Sequence, residues 1–154
     1  MSGRPVSQII EEGAARYGRN QEAVLRILTD VDRELGSVSE EAMAAIAKCC
    51  RVSSAEVQSV ATFYSFISTK PRGRHLVRLC RTISCSMKGS AGILAALEKD
   101  LGIAAGQTTP DGRITLETTS CIGLCDQSPA MLVDDTPHSR LTPEMACEIV
   151  RGLK

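Results

Sequence analysis

Four cysteines stand in two closely spaced pairs, Cys80 with Cys85 and Cys121 with Cys125. Arg-Thr-Ile-Ser separates the first pair, and Ile-Gly-Leu separates the second. Thiolates are the ligands of iron–sulfur clusters and of many structural zinc ions, and paired thiols can also form disulfides. What these four sulfurs hold therefore decides what the protein does.

The spacing within each pair leaves three hypotheses open. Structural zinc sites and thioredoxin-type redox pairs commonly have two residues between their cysteines, whereas here the gaps are four and three. Plant-type ferredoxins follow a four-residue gap with a two-residue gap, which this chain lacks. The spacing favours an iron–sulfur cluster. The alternatives are a zinc-stabilised interaction module without a redox role and a thiol oxidoreductase with a strained disulfide.

Composition excludes several other classes of function. The 154 residues contain 18 basic and 18 acidic side chains, two Phe, two Tyr and no Trp, so we expect no nucleic-acid partner. No apolar run approaches the ~20 residues that span a bilayer, and we expect no direct membrane insertion. Glu11 and Glu12 precede any apolar segment of the kind found in a secretory signal. We therefore expect a cytoplasmic protein with reduced thiols.

Residues 1–70 are predicted to be helical. Apolar residues recur at helical spacing from Val6 onward, and Asn20 is a plausible N-cap for a helix over 21–35 that ends at Gly36. Capping-box patterns at 37–40 and 53–56 predict the beginnings of a third and a fourth helix. We expect these helices to pack together as an N-terminal helical domain.

Residues 71–154 are predicted to form an α/β domain. Pro71 and Gly73 end the helical pattern, and strands are expected over 75–80, 112–119 and 130–133. Helices are expected over 89–101 and from Thr142 to residue 153, where Pro143 occupies the first helical position. This order predicts a small sheet with helices packed against it. If the first two strands are neighbours, both cysteine loops lie at one end of that sheet.

Several separated motifs carry a resemblance to a known family. They are Val-Ala-Thr-Phe-Tyr-Ser-Phe at 60–66, the two cysteine pairs, Thr-Pro-Asp-Gly at 109–112, Pro129 and Leu-Thr-Pro-Glu at 141–144. In this order they closely resemble the thioredoxin-like 2Fe–2S subunit of NADH dehydrogenases. The similarity covers nearly the whole chain, including the N-terminal helices.

The resemblance implies a fold and a ligand set. It implies a helical N-terminal bundle followed by a thioredoxin-like domain, in which a small mixed sheet is flanked by helices. It also implies that Cys80, Cys85, Cys121 and Cys125 are the four ligands of one 2Fe–2S cluster.

The resemblance further implies an electron-transfer subunit that exchanges single electrons with the FMN of a partner. That partner is a flavoprotein subunit carrying FMN, an NAD(H) site and a 4Fe–4S cluster, and further iron–sulfur subunits are expected in the complex. Related subunits serve respiratory NADH dehydrogenase, NAD-reducing and electron-bifurcating hydrogenases, and NAD-linked formate dehydrogenases. Asp126 and Gln127 look more like the hydrogenase and formate dehydrogenase relatives. The sequence has no nucleophile–base pair and no Gly-rich nucleotide loop, so no catalysis is expected from this chain alone.

Five other residues with metal-binding side chains are expected to have no part in the site. Cys49, Cys50 and Cys147 fall within predicted helices, and buried cysteine behaves as a small hydrophobe, so we expect them to pack. A Rieske-type centre needs two histidines on one iron. Because four cysteines already fill the ligand positions, His75 and His138 are expected to be ordinary surface or core residues.

Phe63, Tyr64 and Phe66 lie within four positions of one another. Large aromatic side chains dominate the energetics of protein cores, so a core anchor between the two halves of the chain is the first interpretation. The alternative is a contact with the flavin subunit, because aromatic residues concentrate in the cores of interfaces.

Overall fold

The computed structural model describes residues 4–153 and divides into two compact units between Pro71 and Arg72. Within residues 4–71 the regular elements are helical. They are α1 (Val6–Tyr17), a 3₁₀ turn (Gln21–Ala23), α2 (Val24–Leu35), α3 (Glu40–Cys50) and α4 (Ser54–Phe63). Helix α1 packs against α2 and α3, and α4 packs against the same two helices. The apolar stripe of α2, which includes Ile27, Leu28 and Val31, is fully buried between them.

Local side chains begin these helices. Asn20 caps the second helical segment as predicted, since its side chain accepts a hydrogen bond from the Ala23 N–H. The segment opens as a 3₁₀ turn, however, and becomes α-helical only at Val24. At the fourth helix the predicted capping box is present, because Ser53 and Glu56 each accept a bond from the other's backbone N–H.

The third helix begins later than the capping-box pattern at 37–40 predicted. Ser39 is the N-cap, and its hydroxyl accepts a hydrogen bond from the Ala42 N–H, so α3 starts at Glu40. Two glutamates, Glu40 and Glu41, then occupy the first turn, where carboxylates interact favourably with the helix dipole.

The second unit contains a mixed sheet and three α-helices within residues 72–153. Its strands are β1 (His75–Cys80), β2 (Gln107–Thr108), β3 (Ile114–Thr119), β4 (Ala130–Val133) and β5 (Thr136–Ser139). Its helices are α5 (Ile83–Met87), α6 (Ser90–Leu101) and α7 (Pro143–Arg151), with a 3₁₀ turn at Cys125–Gln127. The expected α/β class with a small mixed sheet is confirmed.

The strand order is β2-β3-β1-β4-β5. Strands β1 and β3 pair in parallel with Cys80 opposite Thr119, and the other three pairings are antiparallel. The two strands expected as neighbours therefore are neighbours, and their carboxyl ends meet at one edge of the sheet. One apolar cluster joins Val77 and Leu116 of these strands to Ile93 of α6 and Val150 of α7, so both helices pack on this sheet face.

Short elements account for most differences from the predicted fold. Strands β2 and β5 and helix α5 have two, four and five residues, too few for a clear periodic pattern. His138 accordingly lies in edge strand β5, where a loop was expected. Thr142 caps α7 with Pro143 at the first helical position, as predicted.

Among residues 4–153, the structure contains no helix with the length and apolar character to cross a bilayer.

At Gly73 the backbone packs closely against the backbone of residues 113 and 114. A substitution at Gly73 therefore tests the packing of the second unit. A Cβ at this position would lie 2.9 Å from the backbone nitrogen of Ile114 and 3.0 Å from the carbonyl oxygen of Arg113. Because backbone atoms cannot move aside cheaply, we expect Gly73→Ala to lower the free energy of unfolding by about 1–3 kcal/mol. Chemical denaturation followed by circular dichroism measures this change.

Gly92→Ala is the matched control for that experiment. Gly92 lies inside α6, and no atom comes within 4 Å of a Cβ placed there. Alanine is the better helix former, so this variant should gain about 0.5–1 kcal/mol. Equal effects of the two substitutions would contradict the packing argument.

Candidate metal centre

The structure brings the four paired cysteines to the edge of the sheet where β1 and β3 end. Cys80 is the last residue of β1, and Cys85 lies in the short helix α5 that follows. Cys121 comes two residues after β3, and Cys125 opens the 3₁₀ turn before β4. Cys80 interacts electrostatically with both Cys121 and Cys125, so the two loops lie beside each other.

The four sulfurs are arranged as two pairs. The Sγ atoms of Cys121 and Cys125 are 3.2 Å apart, and the side chains of Cys80 and Cys85 interact with each other. Across residues 4–153, no three His, Cys, Asp or Glu side chains converge on the position of a single metal ion. The pairs seen in the sequence are thus also the pairs in space.

The two pairs differ in their access to solvent. Cys80 and Cys85 are 1% and 2% exposed, whereas Cys121 and Cys125 are exposed to solvent. The inner pair is enclosed because Cys80 belongs to the central strand of the sheet and Cys85 faces inward from α5. The outer pair sits on a surface loop. A group held by all four sulfurs would be shielded on one side and close to solvent on the other.

Hydroxyl groups from the first loop reach sulfurs of both pairs. The Thr82 hydroxyl lies 3.1 Å from Cys80 Sγ and also interacts with the Cys121 sulfur. The Ser84 side chain interacts with the sulfur of Cys125 and acts to lower its pKa. Thr82 stands at the N-cap position of α5 but makes no side-chain capping bond, since its hydroxyl is directed to sulfur instead. This role of Thr82 is not evident from the sequence, where its one indication is a hydroxyl residue two positions after Cys80.

Backbone amides supply the remaining donors. The Gly123 N–H donates to Cys121 Sγ with an N···S distance of 3.4 Å. The N–H groups of Ile122 and Ala130 face the sulfurs of Cys80 and Cys85 and act to lower the pKa of each thiol. Gly123 has a φ of +87°, a conformation that L side chains rarely adopt, and this turn directs its N–H back toward the sulfur. Such donors stabilise negative charge on sulfur.

Within the inner pair, the two thiols have opposite tendencies to ionise. Burial acts to raise the pKa of Cys80, but donors from Thr82, Cys85 and Ile122 outweigh it and leave that pKa below its usual value. Burial raises the pKa of Cys85, and its hydrogen bond to Cys80 raises it further. Cys80 is therefore the more acidic thiol of the inner pair.

In the outer pair, too, one thiol has a lowered pKa and the other a raised pKa. The Gly123 N–H is the main cause of the lowered pKa of Cys121, and the Cys125 thiol is a second donor. Cys125 has a raised pKa because it shares its proton with Cys121. Ligand sulfurs must be deprotonated, so metal binding would displace the protons of these thiols. The donor set, two thiol pairs with amide and hydroxyl donors, fits a group of two metal ions.

The other three cysteines lie in helices, two in the first unit and one in the second. Cys50 and Cys147 are buried in the apolar clusters of these units, as expected for packing residues. Cys49 also packs against the first cluster, but it is only partly buried and accepts a hydrogen bond from Arg19.

The aromatic group at 63–66 is not a buried anchor. Phe63 is 80% exposed, and Tyr64 and Phe66 are 43% and 45% exposed. The rings of Phe63 and Tyr64 contact each other edge to face, with centroids 5.1 Å apart. The core interpretation is therefore wrong for Phe63 above all, because helix α4 ends there and its side chain points to solvent.

The Thr82 hydroxyl provides a test of the electrostatics. Valine has nearly the shape of threonine but lacks the donor, so Thr82→Val should raise the pKa of Cys80 in the reduced, metal-free chain. Loss of one hydrogen bond to a charged group corresponds to about one pH unit. Thiolate would then form at higher pH, which the ultraviolet absorbance of thiolate measures during a pH titration.

Thr29→Val is the control for this titration. The Thr29 hydroxyl bonds to the Leu25 carbonyl oxygen on an exposed face of α2, in the other unit of the chain. The titration of this variant should match that of the unchanged protein. A Thr82→Val curve that also matches, or that moves to lower pH, would show that Thr82 does not stabilise the Cys80 thiolate.

Comparison with known proteins agrees with this architecture. Residues 10–154 match the family model described as thioredoxin-like [2Fe-2S] ferredoxin. The chain is 42% identical over 147 residues to a subunit of NADH-quinone oxidoreductase from Salmonella typhimurium, covering 96% of this chain and 89% of that protein. It is 36% identical over 143 residues to the corresponding subunit from Pseudomonas aeruginosa, covering 93% of this chain and 86% of that protein.

A solved structure is also similar. A chain of the NAD⁺-reducing [NiFe]-hydrogenase in the air-oxidized state superposes with a TM-score of 0.73 at 25% identity. The match covers 88% of this chain but 23% of the hydrogenase chain. The family model spans nearly the whole sequence and the curated relatives match over most of their length, so this chain belongs to the thioredoxin-like [2Fe-2S] ferredoxin family.

Proposed function

We propose that this chain is an electron-transfer subunit in which Cys80, Cys85, Cys121 and Cys125 hold one 2Fe–2S cluster. The observation that carries the proposal is the convergence of these four thiols, as two pairs, at one edge of the sheet in a member of this family. When bound, the cluster supplies the ability to accept and release one electron at a time.

The pairing of the sulfurs supports a two-iron group over a single zinc ion. A structural zinc ion draws its four ligands around one position. Here the outer sulfurs are 3.2 Å apart, and among residues 4–153 no three metal-binding side chains converge on one position, which favours two metal ions over one shared zinc ion. The zinc-stabilised module remains the alternative, and metal analysis separates the two.

The residues around the sulfurs would set how readily the site accepts an electron. An added electron increases the negative charge on the ligand sulfurs. Thr82, Ser84 and the Gly123 N–H donate hydrogen bonds to those sulfurs and stabilise that charge. Burial of Cys80 and Cys85 excludes water from the inner side.

The partner proposed for this subunit is a flavoprotein that carries FMN, an NAD(H) site and a 4Fe–4S cluster. Relatives of this chain are subunits of NADH-quinone oxidoreductase, and a similar structure belongs to an NAD⁺-reducing hydrogenase. The higher identity over most of a relative's length favours the NADH-quinone oxidoreductase type over the hydrogenase type that Asp126 and Gln127 resemble. Hydride chemistry would take place on the partner, with this chain as a non-catalytic subunit in the cytoplasm beside further iron–sulfur subunits.

An exposed apolar surface beside the inner cysteines supports a docked partner. Ile83 and Met87 are 78% and 82% exposed and lie four residues apart in α5, on the face opposite the buried Cys85. Met is enriched at the buried centres of interfaces, where a few well-packed residues contribute most of the binding energy. Contact at α5 would bring the partner close to the ligand sulfurs.

The ligand set is tested by two alanine substitutions. Cys121→Ala removes one of the four thiolates, so we expect loss of the red-brown colour and of the two irons and two sulfides per chain that a 2Fe–2S cluster contains. Cys147→Ala removes a buried thiol in the same unit and should retain both. Visible spectra with iron and acid-labile sulfide analysis measure the outcome. A normal cluster in Cys121→Ala would refute the ligand set, and one zinc per colourless chain would support the alternative.

The docking surface is tested by introducing a charge. Met87→Glu places an unpaired carboxylate at the proposed interface and should weaken association with the flavoprotein roughly tenfold or more. Met145→Glu, at a 44% exposed position at the start of α7, is the matched control and should leave the affinity unchanged. Surface plasmon resonance with cluster-loaded protein measures both. Unchanged affinity for Met87→Glu would exclude α5 from the interface.

A further inference from the structure

The helical unit contains a cavity that the electron-transfer function does not use. It has a volume of about 460 Å³ and is open to solvent. Helices α1 and α3 and the segments after them form its walls. Its polar lining consists of Ser7, Glu11, Arg19, Lys48, Cys49 and Arg51.

The charge of this cavity is positive. The carboxylate of Glu11 is occupied by an ion pair with Arg19. Among residues 4–153, Lys48 and Arg51 have no carboxylate partner, so two cations in the lining remain available. A small molecule with carboxylate groups would complement them.

A thiol pair lies in the wall of the cavity. Cys49 is partly exposed, and Arg19 Nη1 donates a hydrogen bond to its Sγ at 3.3 Å. The neighbouring Cys50 is 2% exposed, and burial raises the pKa of its thiol. Cys49 is thus the accessible sulfur of the pair, and it lies beside the cations that would attract an anion.

We propose that this cavity binds a carboxylate-bearing, low-molecular-weight disulfide of the glutathione type, and that Cys49 forms a mixed disulfide with it. The Cys49 thiol first releases its proton to solvent, and its sulfur attacks one sulfur of the bound disulfide. The original S–S bond breaks as the new bond to Cys49 forms. Cys49 is oxidised, and the departing half is reduced and leaves as a thiolate that takes up a proton.

The mixed disulfide should persist, because Cys50 is badly placed to resolve it. Adjacent residues joined by a trans peptide have Cα atoms about 3.8 Å apart, whereas disulfides usually require roughly 4.4–6.8 Å. Cys49 and Cys50 also close helix α3 in regular helical conformation. Cys49 is therefore a modification site, reversed by an external thiol.

The proposal is tested on the full, cluster-loaded chain with oxidised glutathione. Intact mass and peptide mapping should show one glutathionyl group at Cys49, with an unchanged visible spectrum of the cluster. Cys49→Ser should abolish the modification. Addition at Cys50 or Cys147, or no addition at all, would overturn the assignment.

The role of the cavity charge is tested by rates. The Lys48→Gln, Arg51→Gln double variant should react about three- to tenfold more slowly with oxidised glutathione, because two attractive charges are lost. Its rate with the neutral 2-hydroxyethyl disulfide should not change. Lys99→Gln, which removes an exposed charge from α6, should react at the original rate with both. An equal loss of rate with both disulfides in the double variant would contradict recognition of an anion.

Discussion

The parallel pairing of β1 with β3 is the constraint on which the candidate metal centre depends. Parallel neighbours end at the same edge of a sheet, and the register places Cys80 opposite Thr119. The two cysteine loops follow β1 and β3. They are far apart in the chain, but they therefore lie at the same edge of the sheet. After Cys125 the chain enters β4, which pairs antiparallel with β1. Three strands thus hold two loops together without distortion of the sheet.

Four ionisable sulfurs lie in one small volume, and groups in the same loops reduce the repulsion between their negative charges. Like charges at short range repel, and the low polarity around the inner pair increases that repulsion. Within each pair, one thiol has a lowered pKa and the other a raised pKa. Donors such as the Thr82 hydroxyl and the Gly123 N–H are also directed at the sulfurs. The same donors suit a metal-bound state, in which every sulfur is a thiolate. The loops are therefore organised for negative charge before any metal binds.

The parts of this fold that local chemistry determines are predictable from sequence. Asn20, Ser53 and Thr142 each cap a helix through their own side chains, and the sequence pattern identifies them. The cysteine pairs are found by residue type and spacing alone. The role of Thr82 is not predictable in this way, because it depends on a loop far away in sequence. The exposure of Phe63 is likewise not predictable from residue type, because it depends on where α4 ends relative to the neighbouring helices.

The difference in burial between the two cysteine pairs has a consequence for damage and repair. Oxidants and chelators in solution reach the exposed Cys121 and Cys125 before they reach the enclosed Cys80 and Cys85. Breakdown of a bound metal group would thus begin at the loop after β3, while the sulfur anchored in the central strand keeps its place. The inner pair, held by β1 and α5, would then remain as the enclosed half of the site.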